Sequence, residues 1–410
     1  MKRAGVRVVR RGWATRLAWA ARLAWVAPLL LLALPAGAAS VKALQGDPFR
    51  GREVLAAKLC TQCHSVWGHG GVLGPDMSVA VARKSWLDLV GDFWNHTPRM
   101  IDAMAERGHR WPTLDEREMT DLLSYLYYLR LFDGPGDPDR GEVAFARLRC
   151  ASCHSLAGRG GTIGGPLDRF SAYPSSVMLA QAMWNAGPKM QRAQMGRWTA
   201  IATFAGDEIA DIQSYIRAEG LRGDRRIELL RLPDPAKGAE IFRAKRCVAC
   251  HRPEGGGAGP DLTTSALHQT VAEISGTLWN HSYAMNEWMQ ARAIPFPRFE
   301  GTEMADLISY LYFLGFVGGE GDPRRGGTLF ETRGCAGCHA GTGAGTIDLS
   351  RSKVVADPIA LSAAMWNHAP DMHALMAARA VAWPELDPGD MEDLAAYLRR
   401  LARPEGKEKK

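Results

Sequence analysis

Cysteine and histidine recur in one fixed arrangement, Cys-x-x-Cys-His, at four places: Cys60, Cys63 and His64; Cys150, Cys153 and His154; Cys247, Cys250 and His251; Cys335, Cys338 and His339. Two thiols one helical turn apart can each add to a vinyl group of a porphyrin, and the adjacent histidine can then bind the iron as proximal ligand. The chemistry this spacing serves is covalent attachment of haem c. A zinc knuckle or a redox dithiol uses the same residue types, but neither calls for four copies at the same point of a longer repeat. All eight cysteines of the chain lie in these motifs, so none remains for a disulfide framework. The expected cofactors are four haem c groups, each with one iron.

The surrounding elements repeat with the motif. Each repeat opens with an Asp-Pro head, Asp47-Pro48, Asp137-Pro138, Asp234-Pro235 or Asp322-Pro323, and the first cysteine lies 13 residues after that aspartate. A glycine follows each head, at Gly51, Gly141, Gly238 and Gly326, and a short helical run then leads into the cysteines. Each repeat closes on an amphipathic helix: Glu118–Leu126, Glu208–Ile216, Glu303–Leu311 and Asp390–Leu398 carry apolar residues at i, i+3, i+4 and i+7. Successive first cysteines are 90, 97 and 88 residues apart, a unit too small for much protein core, which a bound haem would enlarge. Asp133–Gly136, Leu221–Leu232 and Gly318–Gly321 read as linkers.

With these features in view, each unit resembles a class I, cytochrome c-like domain, over residues 45 to 402 in all. The resemblance implies an all-α fold of four tandem domains, at 44–133, 134–225, 233–318 and 319–402, after a leader at 1–39 and before a charged tail at 403–410. It also implies a Gly-Pro turn that orients the proximal histidine, matched by Gly74-Pro75, Gly165-Pro166 and Gly259-Pro260. The fourth unit has Thr346-Ile-Asp-Leu349 instead, so that support is expected to be missing there.

Haem c needs a sixth ligand or an open site. The family often supplies a methionine from a Met-Pro pair before the last helix. The corresponding places here read Trp111-Pro112, Trp198-Thr199, Phe296-Pro297 and Trp383-Pro384, and an aromatic ring cannot bind iron. A second shared block begins with Trp-Asn at 94, 184, 279 and 366 and carries Met100, Met190, Met285 and Met372 six residues later. These methionines are the expected distal ligands; filling core gaps is their alternative use. His96, His281 and His368 are the rivals, but the second unit has Ala186 at that place. The tryptophans are expected to wall the haem pockets.

Lys2, Arg3, Arg7, Arg10, Arg11, Arg16 and Arg22 precede an apolar run from Ala27 to Leu34 and the small residues Pro35–Ala39, the layout of a secretory leader cleaved after Ala38 or Ala39. An uncleaved membrane anchor is the alternative. The net charge is +6, and without the seven leader cations it falls to about −1, which gives no reason to expect nucleic-acid binding. The expected function is therefore an exported, periplasmic tetrahaem carrier passing electrons between redox partner proteins, membrane-bound ones among them. No small-molecule substrate and no separate catalytic acid–base group is evident. The alternatives are a multihaem oxidoreductase with an open haem site, for which Ala186 and Gly187 mark the second unit, or a haem subunit of a respiratory complex.

Overall fold

Proline directly after aspartate starts a helix well: the ring is preset for the first turn, and the carboxylate accepts from first-turn N–H groups. Asp47, Asp137, Asp234 and Asp322 all cap in this way, starting α1 (Pro48–Ala57), α4 (Pro138–Arg147), α7 (Pro235–Ala244) and α10 (Pro323–Thr332). The computed structural model describes residues 46–402 apart from 82–83, 133, 135, 174, 199, 221–230, 253–256, 263–268 and 342–346. The leader, the tail, most of the 221–232 linker, Thr199 and Thr346 lie outside the described residues. Those described belong to one unit, 39–410.

Three helices recur in every repeat. The first is followed by a long helix: α2 (Trp86–Glu106), α5 (Ser176–Met195), α8 (Val271–Gln290) or α11 (Pro358–Ala378). The last is α3 (Glu116–Leu129), α6 (Glu208–Glu219), α9 (Glu303–Val317) or α12 (Asp390–Leu401). Among the described residues the only strands are two ladders of two-residue strands, after His64 and His154, so the fold is all-α. No helix among them is long and apolar enough to cross a membrane.

First and last helices of a repeat cross at the glycine. A Cβ on Gly51, Gly141, Gly238 or Gly326 would lie 2.0 Å from the carbonyl oxygen of Asp121, Asp211, Asp306 or Asp393 respectively. The carboxylates of those aspartates accept the head amides of Asp47, Asp137, Asp234 and Asp322 at 2.7, 2.7, 2.8 and 2.5 Å. Arginine partners, Arg50, Arg140, Arg231 and Arg325, balance the buried charge. Beside the crossing, Phe145, Phe242 and Phe330 pack on Tyr215, Tyr310 and Tyr397 at 5.4–5.5 Å, and Leu55 takes the phenylalanine's place in the first unit.

The long helices do not stay within their own repeats. Helix α2 packs on α11 and α12 of the fourth unit, and α11 packs on α2 and α3 of the first. Units two and three are joined likewise, α8 lying on α5 and α6 and α9 on α5. A third seam connects the pairs: the wholly buried Tyr127 donates to Ser309 O at 2.7 Å and packs at a tilt on Phe316 at 5.0 Å, while Arg130 lies over Tyr312 and Phe316. These seams join the units in the order four, one, three, two.

Candidate haem sites

In each unit the residue just before the first cysteine, two positions past the end of the first helix, lies in the left-handed region: Leu59 (φ 68°), Arg149 (58°), Arg246 (64°) and Gly334 (82°). Three of the four are not glycine, a strain of about 1 kcal/mol each that the next turn must offset. That turn brings the histidine amide back to the first cysteine's carbonyl at 2.9 Å in all four units, which sets both thiols on one helical turn.

The imidazole Nδ1 then meets a backbone carbonyl in every unit: His64 to Pro75 O at 2.9 Å, His154 to Gly165 O at 2.8 Å, His251 to Pro260 O at 3.1 Å and His339 to Ile347 O at 3.0 Å. A carbonyl can only accept, so Nδ1 carries the proton and the Nε2 lone pair is free to bind iron. Gly74, Gly164 and Gly259 let the turn touch the ring, for a Cβ there would lie 2.3–2.5 Å from Cε1. Two expectations need correction. In unit two the pair that contacts His154 is Gly164-Gly165, one residue before Gly165-Pro166. In unit four the missing Gly-Pro costs no hydrogen bond, because Ile347 presents its carbonyl without a proline.

Desolvation pushes Cys60 and Cys247 up to about 11, Cys150 up to about 12, and Cys335 upward as well, so they are protonated at neutral pH. No cysteine is in a disulfide. Among the described residues no three His, Cys, Asp or Glu side chains gather to hold an ion. The residues thus fit haem c: paired thiols, and an imidazole held as the correct tautomer.

Asp76, next to Pro75, braces this turn in unit one. Burial by itself would raise its pKa, but hydrogen bonds from Ser78, the Gly68 amide and Ser65 outweigh that and hold the carboxyl well below the usual carboxylate range. A depressed folded-state pKa contributes stability above the unfolded value, about 3.9, and loses it as pH falls further. Asp76→Asn should therefore raise amide exchange in residues 65–78 at pH 7, with the difference from wild type shrinking below about pH 4. An equal difference at pH 7 and pH 2.5 would contradict this role for the charge.

The loop before the last helix runs beside the cysteines of its own unit. Lys58, two residues before Cys60, donates to Thr113 O at 2.7 Å, and Lys245 donates to Arg298 O at 2.7 Å. Arg333 reaches Asp387 at 2.8 Å, and Arg379 lies 3.8 Å from the Cys338 sulfur. In unit two Arg149 sits over Trp198 at 5.3 Å. These cations were not singled out from the sequence; the signal was a basic residue two before the first cysteine in three of four units.

The same loops are gripped from outside by the paired unit's long helix. Trp94 Nε1 donates to Pro384 O at 2.8 Å and its ring stacks on Trp383 at 4.1 Å. Trp366 Nε1 donates to Pro112 O at 2.7 Å and stacks on Trp111 at 4.4 Å. Trp184 bonds Pro297 O and stacks on Phe296; Trp279 bonds Ala202 O. The Trp-Asn tryptophans therefore clamp the seams between units, where pocket walls were expected. Constant spacing also places Ile201-Ala202, not Trp198-Thr199, opposite Trp279.

In units one and four, though not at Pro188 of unit two, where the facing Phe296 has no donor, proline inside the long helix serves this clamp. Pro98 and Pro370 have no N–H for the carbonyls of Trp94 and Trp366 four residues back. Those carbonyls accept instead from the indoles of Trp383 and Trp111, both at 3.0 Å. Unit three has Tyr283 at this position, and the facing residue, Ile201, has no side-chain donor. Gly187, read as marking an open site, is buried at the seam with Trp279 3.9 Å from where its Cβ would be.

Met100, Met190, Met285 and Met372 are half-buried on the four long helices. His96 and His281 are exposed, each with Nδ1 on the carbonyl one turn back, and His368 faces Asp371 at 3.7 Å.

Helices, paired thiols and carbonyl-bound imidazoles define a helical protein built to hold haem covalently. A family model described as Cytochrome c matches residues 49–130, 235–314 and 323–402, more than half of the chain. The chain belongs to the cytochrome c family, with the haem-binding, electron-carrying function that implies. Neither the curated proteins nor the solved structures gave a match.

Proposed function

We propose that the protein is an exported tetrahaem cytochrome that carries electrons between redox partner proteins, membrane-bound ones among them. The observation that carries the count of four is the imidazole–carbonyl bond, present at His154 as at His64, His251 and His339. Unit two lies outside the matched regions, yet its attachment turn and helix crossing repeat those of the others. Bound haem c supplies one-electron cycling between ferric and ferrous iron. Through the Nδ1 bond the chain keeps Nε2 unprotonated, as the atom that would bind the iron, and burial and charge around each site would set its potential.

Met100, Met190, Met285 and Met372 are the proposed distal ligands, giving higher potentials than a second histidine would. Their constant register and half-burial support this, whereas His96 and His281 are exposed. The leader supports export to the periplasm.

Replacing Met190 with Ala should convert one haem of four to a form that binds carbon monoxide and should remove about a quarter of the near-infrared methionine–iron band. An unchanged spectrum on that substitution would refute the assignment.

A further inference from the structure

We propose that each haem environment is set in trans: an asparagine on the long helix of the paired unit positions the loop that borders the haem-attachment segment. The inference rests on covalent haem at these cysteines and adds to it which unit controls which haem.

Asn367 of unit four donates from Nδ2 to Leu114 O at 2.7 Å and accepts the Leu114 amide on Oδ1 at 2.8 Å. Asn95 of unit one makes the same two bonds to Leu386, both at 2.8 Å. Asn185 binds Phe299 at 2.8 and 2.9 Å, and Asn280 binds Phe204 at 2.8 and 2.9 Å. A primary amide is the side chain that pairs with both the N–H and the C=O of one peptide residue; an amide flip would break both bonds.

Three of the four gripped residues neighbour a tether to the cysteines. Leu114 follows Thr113, whose carbonyl takes Lys58 beside Cys60; Leu386 precedes Asp387, which takes Arg333 beside Cys335; Phe299 follows Arg298, whose carbonyl takes Lys245 beside Cys247. One face of the loop is thus fixed to its own attachment segment and the other to the partner helix. Asn367 is then a positioning residue for the haem at Cys60 and Cys63, and Asn95 for the haem at Cys335 and Cys338. Asn185 is placed likewise for the haem at Cys247 and Cys250, and Asn280 grips the corresponding loop of unit two at Phe204.

The test uses the full-length, haem-loaded protein, with the shifted haem-methyl NMR resonances of the ferric state assigned to each attachment site. Asn367→Ala should move the resonances of the haem at Cys60 and Cys63 and leave those at Cys335 and Cys338 in place. Asn95→Ala should do the reverse. Asn367→Asp, which keeps the acceptor and loses the donor, should give a smaller shift at the same haem and serves if the alanine variant does not fold. Shifts confined to the substituted residue's own unit, or none at all, would overturn the proposal. A parent protein with haem missing only from unit two would instead count against the four-haem reading, leaving the pairing of units one and four testable.

Discussion

Gly238→Val is expected to open the third unit, at a cost of at least about 3 kcal/mol, because overpacking at a backbone contact has no side chain to move aside. The added Cβ would sit 2.0 Å from Asp306 O and 2.6 Å from Tyr310 Cβ. Relief requires α7 and α9 to separate, which breaks the Asp234 amide bond to Asp306 at the same time. Limited proteolysis should then cut within residues 233–318 well before the wild type is cut. Gly187→Ala is the control, since its Cβ would meet nothing closer than 3.9 Å. If Gly238→Val resisted protease as the wild type does, the helix crossing would be wrong.

The second large effect crosses almost the whole chain. Trp94→Ala removes a buried ring stacked on Trp383 and the indole bond to Pro384, and should cost about 3–5 kcal/mol. Part of that loss should appear as faster hydrogen exchange at residues 383–390 of the fourth unit, nearly 300 positions away. Trp94→Phe keeps a stacking ring and loses one hydrogen bond, so it should cost about 1–2 kcal/mol. Effects limited to residues 44–133 would mean that the first and fourth units do not share this seam. Pro98→Ala should weaken the same contact, because the restored N–H competes with Trp383 for the Trp94 carbonyl.

The attachment chemistry and the ends of each unit were legible in the residues themselves. Cys-x-x-Cys-His, the Asp-Pro cap and the terminal helix are local patterns whose meaning depends on few neighbours. The glycine after each head was visible as a repeat, though its cause, a carbonyl 2.0 Å away, was not. The pairing of one with four and two with three was hidden because Trp94, Asn95, Trp366 and Asn367 bind backbone atoms, which every residue type offers. One clue was present: a proline four residues after Trp94 and Trp366, with Trp383 and Trp111 as the facing indoles. The two register slips in unit two arose from following residue type, Pro166 and Trp198, where spacing was the better guide. Counting eleven residues from His154 reaches Gly165, as eleven from His64 reaches Pro75.

The most direct measurement is the number of haems covalently bound to the chain when it is produced with its haem-attachment machinery, read by intact mass and by haem absorbance per polypeptide. The account predicts four, falling to three when Cys150 and Cys153 are both replaced by Ala. Three in the parent protein, unchanged by that double substitution, would contradict it.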